Sequence, residues 1–328
     1  MDKPLALADG VWPTMITPFT SDGQQIHWDG IDALIDWYIA SGCAGLFTLC
    51  LSSEMYELSG EERFQLVRHV HNKCAGRVPV VAGGTFRDCG SLEKQAQFML
   101  KISAHCEAVV IVVNQLATQD EDDAVWMQRV QQLMDLTGDL ALGIYESPLP
   151  YHRTLTPSMV EWLASSGRVR FYKDTSLHLT AMAGKLTAAR RVDPHFRFFT
   201  AKAVFSLKCL RSNGSGYSGI AANFFPWLFV WLCENHAKRP QDAERVQRFL
   251  TLADFTLRFK YPVSAKAYHR LMYGLEITPA VRIQTPTLDS ILTETEIAKL
   301  KYMHEAMLKM TSSLGVQHHC SSDFYREA

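Results

Sequence analysis

The sequence AVVIVVN at residues 108–114, followed by LALGIYES at 140–147 and VRFYKDT at 169–175, decides the fold. These runs are nearly continuous in apolar residues and do not alternate apolar with polar positions. That pattern is typical of strands that are buried on both faces of a parallel sheet. Because the segments between them have apolar residues at helical spacing, the centre of the chain is predicted to consist of β/α units.

The same alternation continues outward in both directions. Strands are predicted at Val11–Phe19, Gly45–Cys50, Val78–Gly84, Ala108–Asn114, Leu140–Ser147, Val169–Thr175, Phe196–Ala201 and Gly216–Ala222. Helices are predicted at 27–41, 60–74, 90–105, 119–137, 156–166, 178–191, 203–211 and 226–238. Eight β/α units in roughly 230 residues indicate an α/β fold, a (β/α)8 TIM barrel that we assign to residues 1–238.

Strands are no longer predicted after about residue 240. Helices are expected at 242–259, 264–273 and 293–311, separated by prolines that include Pro286. We therefore predict a C-terminal helical extension over residues 239–328, and its last residues, HHCSSDFYREA, are predicted to be loosely held.

Composition excludes several classes of function. Of the 328 residues, 33 are Lys or Arg and 34 are Asp or Glu, so there is no basic surface for nucleic acid or a membrane. No apolar run is long enough for a membrane span, and the N-terminus does not resemble a signal peptide. The 8 cysteines include no CxxC pair, which favours reduced thiols in a cytoplasmic protein.

Polar residues at strand ends are the candidates for catalysis, because barrel enzymes place their active sites there. Lys173 ends the sixth predicted strand, where apolar walls would lower its pKa and make its amine nucleophilic. The alternative is an ion pair with Asp174. Tyr145 ends the preceding strand and could relay protons. Ser52 and Ser53 end the second strand, where hydroxyl and N–H groups suit a carboxylate.

Metal and nucleotide chemistry are weaker alternatives. His69 and His71 are two residues apart on a helix and do not face each other, while His318 and His319 lie in the tail. No Walker loop follows a predicted strand, so neither a metal nor a nucleotide cofactor is predicted.

The motifs, in order, resemble those of the dihydrodipicolinate synthase and N-acetylneuraminate lyase family over nearly the whole chain. The matching segments are GVWPTMITPF at 10–19, LCLSSEMYELSGEER at 49–63, VPVVAGGT at 78–85, GIYESP at 143–148, FYKDTS at 171–176, GSGYSGIAANFFP at 214–226, YPVSAKAYHRLMYG at 261–274 and VRIQTP at 281–286. The resemblance implies a pyruvate-dependent aldolase on a TIM barrel.

The resemblance also implies roles for individual residues. Lys173 would form an imine with pyruvate or another 2-keto acid, so no separate cofactor would be needed. Tyr145 would relay protons, and Ser52 would bind the carboxylate with the amides of Leu51 and Ser52. Further substrate contacts are implied for Leu51, Ser53, Thr175, Ser218, Gly219 and Ile220. Family members are usually tetramers, so a homo-oligomer, dimer or tetramer, is expected.

The chain also departs from the family pattern. Leu51 replaces one of two hydroxyl residues, and Glu146 replaces an asparagine. NQLATQ at 114–119 has no aromatic residue where the synthase branch supplies a second tyrosine from a neighbouring subunit. The sugar-binding segment of the lyase branch is replaced by Thr200-Ala201-Lys202. The candidates for distal substrate recognition are Lys202, Arg153, Glu146 and His152, each of which could instead be an ordinary residue of the barrel rim.

We therefore predict a lyase or aldolase that makes or cleaves a C–C bond between pyruvate and an aldehyde, on a sugar acid or a related 2-keto acid. The alternatives are a 2-keto-deoxy sugar acid dehydratase, a 4-hydroxy-tetrahydrodipicolinate synthase and a non-catalytic family member.

Overall fold

A parallel sheet of eight strands forms the centre of the computed structural model, which describes residues 7–283 and 290–316. The strands are β1 (Gly10–Val11), β2 (Leu46–Thr48), β3 (Val80–Gly83), β4 (Ala108–Val112), β5 (Leu142–Tyr145), β6 (Val169–Asp174), β7 (Phe198–Thr200) and β8 (Gly216–Tyr217). Their order is β1-β8-β7-β6-β5-β4-β3-β2. A parallel bridge between Thr14, just after β1, and Phe47 in β2 joins the two ends of the sheet. The predicted TIM barrel is confirmed.

A helix follows each strand, and further helices complete the described chain. They are α1 (Trp28–Ala40), α2 (Gly60–Cys74), α3 (Leu92–Ser103), α4 (Asp123–Thr137), α5 (Pro157–Ser165), α6 (Leu179–Val192), α7 (Ser206–Arg211), α8 (Pro226–Asn235), α9 (Pro240–Leu257), α10 (Val263–Tyr273) and α11 (Glu294–Ser313). Side chains cap several of them, as Ser59 caps α2 by accepting from the amide of Glu62.

The first and last strands are shorter than predicted. The prediction for Val11–Phe19 was too long because Pro13 and Pro18 have no N–H for a ladder, so β1 ends at Val11. The segment expected at Gly216–Ala222 leaves the sheet after Tyr217 and forms a turn of 3-10 helix at Ile220–Asn223. Because β1 and β8 end early, the residues that follow them form loops at the carboxyl ends of these strands.

Aromatic rings fill the barrel below those ends. The ring of Phe171 lies 4.9 Å from that of Phe199, 5.4 Å from Trp12 and 5.6 Å from Phe47, measured between centroids. All four side chains are fully buried. This close-packed aromatic layer fills the barrel interior directly below the side chains at the strand ends.

The C-terminal helices pack on the barrel through α9, which contacts α8 and buries Ala243, Val246, Leu250, Ala253 and Leu257. The division of the chain between residues 238 and 239 stays a prediction. The predicted tail at 318–328, with Cys320, and the helix-breaking Pro286 lie outside the described residues. Among the residues that are described, no helix combines the length and apolar character needed to cross a membrane.

Candidate active site

Side chains of β6 alternate between the barrel interior and the helical layer. Phe171 and Lys173 point inward, whereas Tyr172 and Asp174 point outward, because successive residues of a strand face opposite sides. Asp174 lies 3.0 Å from Nζ of Lys185 on α6, and the Tyr172 hydroxyl donates to Glu146, the residue after β5, at 2.8 Å. The alternative ion pair of Lys173 with Asp174 is therefore wrong.

Lys173 lies in an apolar and aromatic environment. Its side chain is buried, with Nζ 3.8 Å from the centroid of the Tyr145 ring and 5.4 Å from that of Phe47. Among residues 7–283 and 290–316, no carboxylate forms an ion pair with this amine. Burial, with a smaller effect of the Lys202 charge, lowers the pKa of Lys173 to about 8. A considerable fraction of the amine is thus neutral near physiological pH.

Tyr145 stands directly opposite Lys173, because the two residues are partners in the β5–β6 ladder. The Tyr145 ring also packs edge-to-face on Phe47, at 5.6 Å between centroids. Burial raises the pKa of Tyr145 well above its usual value, so the phenol is protonated before substrate enters. A buried phenol beside a neutral amine is a pair that can exchange protons with one reacting carbonyl.

The loop after β2 contains a turn of 3-10 helix at Leu51–Ser53. The Ser52 hydroxyl donates to Thr14 at 3.0 Å. In the described part of the chain, the amides of Leu51 and Ser52 donate to no acceptor, as expected at the start of a helical turn. Both residues line the cavity that contains Lys173.

A buried ion pair holds this loop in place. Glu54 has a φ of 55°, and its carboxylate lies 2.6 Å from Lys266 Nζ on α10, with both side chains fully buried. The same carboxylate accepts from the amide of Arg282 at 2.6 Å and from that of Ile283 at 3.2 Å. Elements of the C-terminal part therefore fix the geometry of the loop after β2.

Thr175 and His152 form a second polar pair beside Lys173. The Thr175 hydroxyl donates to the Glu146 carbonyl at 2.8 Å and lies 2.7 Å from His152 Nε2. Because the hydroxyl proton is used in the first bond, Nε2 is the donor in the second. Burial, followed by the Lys202 charge, lowers the pKa of His152, so its ring is neutral.

One cavity of about 680 Å³ joins these groups. Nine of the predicted site and recognition residues line it, and they are Leu51, Ser52, Tyr145, His152, Lys173, Thr175, Lys202, Gly219 and Ile220. Gly219 has no room for a side chain, since a Cβ would lie 2.7 Å from the Ala201 carbonyl oxygen. The wall also includes Arg258, Lys260 and Tyr261 from the segment between α9 and α10.

Four predicted residues do not line the cavity. Ser53 donates to the Met15 carbonyl at 2.7 Å, and Ser218 is fully buried behind the wall. Glu146 points away from the cavity, where Leu155, Tyr172, Thr175 and Lys185 donate to its carboxylate. Arg153 pairs with Asp123 at 2.5 Å. The assignment of Glu146 and Arg153 to distal recognition was wrong because both side chains are engaged elsewhere.

Tyr261 is the residue that sequence reasoning missed. Its hydroxyl accepts from the Asn223 side chain at 2.9 Å and lies beside the hydroxyls of Ser52 and Thr14. Burial raises the pKa of Tyr261. The family resemblance implies a second tyrosine after β4, where this chain has none, whereas Tyr261 reaches the cavity from the segment after α9. The Tyr-Pro pair at the start of the YPVSAKAYHRLMYG motif was the available signal.

The side chains around the cavity do not resemble a metal centre. Among the described residues, no three His, Cys, Asp or Glu side chains converge on one point. The prediction that no metal or cofactor is used stays a prediction.

The geometry places a buried amine, a phenol and unpaired amides at the strand ends of a TIM barrel. The model of the dihydrodipicolinate synthetase family matches residues 7–289. The chain belongs to this family. Its members are pyruvate-dependent aldolases and lyases that act through a Schiff base, which confirms the predicted enzyme class.

The relatives that match most of the chain include both a synthase and an aldolase. A 4-hydroxy-tetrahydrodipicolinate synthase of Polynucleobacter asymbioticus is 25% identical over 89% of this chain and 94% of its own. YagE of Escherichia coli strain K12, a proposed 2-dehydro-3-deoxy-D-gluconate aldolase, is 28% identical over 69% of this chain and 73% of its own.

Solved structures share the fold. The structure of YagE in complex with pyruvate has a TM-score of 0.80 at 23% identity and covers 92% of this chain and 99% of its own. A catalytic lysine mutant of the sialic acid aldolase of Ruminococcus gnavus has a TM-score of 0.80 at 14% identity and covers 93% of this chain and 97% of its own. At these low identities, the two structural matches show that the fold is shared.

Proposed function

We propose that this protein is a class I aldolase or lyase in which Lys173 forms an imine with a 2-keto acid such as pyruvate. The observation that carries the proposal is the buried Lys173 amine in contact with the Tyr145 ring, in a cavity beside the unpaired amides of Leu51 and Ser52. In this assignment, Lys173 is the nucleophile, Tyr145 relays protons, and Ser52 with the two amides holds the substrate carboxylate.

The first half of the reaction makes the imine. The neutral amine of Lys173 attacks the C2 carbonyl, and the proton that nitrogen loses goes to the alkoxide oxygen. The Tyr145 phenol then donates its proton to the carbinolamine hydroxyl, which leaves as water and gives an iminium ion next to the phenolate. The positive iminium lowers the pKa of the adjacent phenol, because an opposite charge favours the charged form.

The second half breaks the C3–C4 bond. The Tyr145 phenolate takes the proton of the C4 hydroxyl, and the electron pair of the C3–C4 bond moves to the iminium, which releases an aldehyde and leaves an enamine. Protonation at C3 by the phenol and hydrolysis of the imine then release pyruvate and restore the amine. The reverse sequence joins pyruvate to an aldehyde.

Borohydride trapping tests the proposal. The protein is incubated with pyruvate and sodium borohydride, digested, and analysed by peptide mass spectrometry. We expect one reduced adduct, on Lys173, and no adduct in Lys173→Met. The exposed Lys208 on α7 offers a matched control, and Lys208→Met should retain the adduct. A protein that forms no adduct with pyruvate or other 2-keto acids would contradict the assignment.

The cavity favours a substrate longer than pyruvate. A volume of about 680 Å³ is in the range of sites for larger small molecules, so we propose a sugar acid or a related 2-keto acid. Cleavage of a C–C bond and loss of water share the imine step, and product analysis separates an aldolase from a dehydratase. Release of pyruvate and an aldehyde from the substrate supports the aldolase.

We also propose that the chain forms a homodimer or homotetramer. Leu252 and Phe255, one turn apart on α9, are 67% and 84% exposed, which is unusual for large apolar side chains on a monomer. Sedimentation velocity tests this expectation. Phe255→Lys should shift the protein toward monomer, whereas Lys208→Met should not.

A cytoplasmic location is part of the proposal. It is supported by seven free cysteines in the described residues, four of which, Cys43, Cys50, Cys74 and Cys209, are buried. Thiols that are kept reduced are usual in the cytoplasm. Cell fractionation with a compartment marker tests the location.

A further inference from the structure

The wall of the cavity has an uneven charge. Its ionisable side chains are His152, Lys173, Lys202, Arg258 and Lys260, together with the phenols of Tyr145 and Tyr261. Within the described residues, no aspartate or glutamate belongs to this wall. A cavity whose wall contains lysine and arginine side chains but no carboxylate attracts anionic groups and repels cationic ones.

Lys202 is a second lysine of this wall, after Lys173, whose amine has no ion-pair partner among the described residues. It follows β7 and is half-buried, and its ammonium group makes neither a hydrogen bond nor an ion pair with the residues that the structure describes. Burial lowers the pKa of Lys202, and the Arg258 guanidinium lowers it further, against smaller opposing effects of the Asp254 and Asp174 carboxylates. The field of Lys202 in turn lowers the pKa of both His152 and Lys173. The ammonium therefore lies in the same cavity as the reacting amine.

Arg258 is held rigidly next to Lys202. Its Nε and Nη2 atoms donate to Oδ2 of Asp254 at 3.0 Å and 2.6 Å. Its Nη1 atom donates to no acceptor among residues 7–283 and 290–316. Because one edge of the guanidinium is fixed by Asp254, the other edge is available to a ligand without further ordering.

These two cations lie away from the loop that is assigned to the substrate carboxylate. That loop follows β2, while Lys202 follows β7, and β1 and β8 separate the two strands. Lys173 on β6 is adjacent to β7. A 2-keto acid with its carboxylate at Leu51 and Ser52 and its C2 atom at Lys173 can therefore extend its far end toward Lys202.

We propose that Lys202 and Arg258 form a distal oxyanion site, which binds a second carboxylate or a phosphate at the far end of the substrate. The proposal rests on the imine assignment to Lys173. A half-buried ammonium without a direct ion pair is stabilised by an anion that contacts it, and charge-assisted hydrogen bonds to oxyanions are among the strongest in proteins. The substrate class is thus a dianionic 2-keto acid, or one with a phosphate.

Matched probes test the site. Borohydride trapping on Lys173 is measured as a function of concentration for three acids of similar length: 2-oxopentanoate, which has one carboxylate, 2-oxopentanedioate, which adds a second, and 2-oxo-4-phosphonobutanoate, which carries a phosphonate. We expect half-maximal trapping of at least one dianion at a concentration about tenfold or more below that of 2-oxopentanoate. Which dianion is preferred identifies the carboxylate or the phosphate as the natural group.

Variants of Lys202 test whether this residue causes the preference. Lys202→Met should reduce the ratio between dianion and monoanion by about tenfold, and Lys202→Arg should restore most of it. The ratio is the readout because Lys202 also affects Lys173 and hence all three acids. Lys208→Met removes a lysine outside the cavity and should leave the ratio unchanged.

The outcomes distinguish this proposal from the one on which it rests. If pyruvate is trapped on Lys173 but the three acids are trapped equally, the distal site is refuted and the imine assignment stands. If the preference persists unchanged in Lys202→Met, the site is refuted as well. If no 2-keto acid is trapped, the imine assignment fails, and the distal site fails with it.

Discussion

At the scale of single residues, the chemistry depends on the surroundings of one amine. Lys173 is the inward-facing residue between Phe171 and Thr175. Its side chain therefore lies above the aromatic layer that includes Phe171 and Phe47, with Tyr145 opposite on β5. Asp174 is next in sequence but faces the helical layer, where it meets Lys185. The alternation of a strand thus separates a nucleophile from a carboxylate that would otherwise keep it protonated.

The lowered pKa of Lys173 predicts the pH dependence of imine formation. The neutral amine is the nucleophile, so the rate should rise as the pH increases through about 8 and level off above it. Below that value it should fall about tenfold for each unit of pH. The rate of borohydride-trapped adduct at limiting pyruvate, measured in rapid-quench experiments, gives this profile. A rate that continues to rise toward pH 10 would show an amine with the usual lysine pKa.

The two tyrosines of the cavity, Tyr145 and Tyr261, are predicted to affect different kinetic constants when either hydroxyl is removed. Tyr145→Phe removes the group that exchanges protons with the imine and should lower turnover by roughly a hundredfold or more. Tyr261→Phe removes a hydroxyl that contacts Asn223 and the Ser52 region, so KM for the 2-keto acid should rise more than turnover falls. Steady-state kinetics of both variants, with Tyr302→Phe on exposed α11 as the control, test the difference. Equal effects on turnover would contradict the division of roles.

At the scale of elements, a loop and a helix far apart in sequence form one unit. The loop after β2 has a left-handed residue, Glu54, which is held by Lys266 of α10 and by two amides near Arg282. A non-glycine residue in that conformation persists only where its surroundings determine it. The unpaired amides of Leu51 and Ser52 depend on this arrangement.

The Glu54–Lys266 pair predicts a large loss of stability. Lys266→Met leaves the Glu54 carboxylate buried without its cation and should lower the free energy of unfolding by about 3–5 kcal/mol. The exposed pair of Lys73 and Asp36, at 2.9 Å, is the control, and Lys73→Met should cost about 1 kcal/mol or less. Urea unfolding followed by circular dichroism measures both. Similar losses in the two variants would contradict the role of burial.

At the scale of the whole molecule, the barrel closes where the ends of the sheet meet. β1 pairs with β8 through Gly10 and Gly216, and Thr14 bridges to Phe47 on the other side. Both glycines have positive φ, and a Cβ on Gly216 would lie 1.9 Å from the Gly10 carbonyl oxygen. Closure therefore depends on two positions without side chains.

Gly216→Ala should destabilise the protein far more than an alanine at a glycine with free space. Gly167 also has a positive φ, of 65°, but a Cβ there meets no atom within 4 Å. Gly167→Ala should cost about 1–2 kcal/mol for its backbone conformation alone. Gly216→Ala also places a Cβ against the Gly10 carbonyl oxygen. It should therefore lower the free energy of unfolding several times more, or prevent folding. The urea midpoints of the two variants give the comparison, and equal midpoints would contradict the account of closure.

The sequence by itself determined the barrel, the helices and the residues opposite each other at its strand ends. Continuous apolar runs are typical of strands that are buried on both faces of a parallel sheet, and strand order then brings Tyr145 and Lys173 together. The tertiary structure alone decided that Ser53, Ser218, Glu146 and Arg153 lie away from the cavity. It also decided that Tyr261 and Arg258 enter it. The physical reason is that a local pattern sets which face a side chain takes, whereas its partners depend on contacts between segments that are remote in sequence.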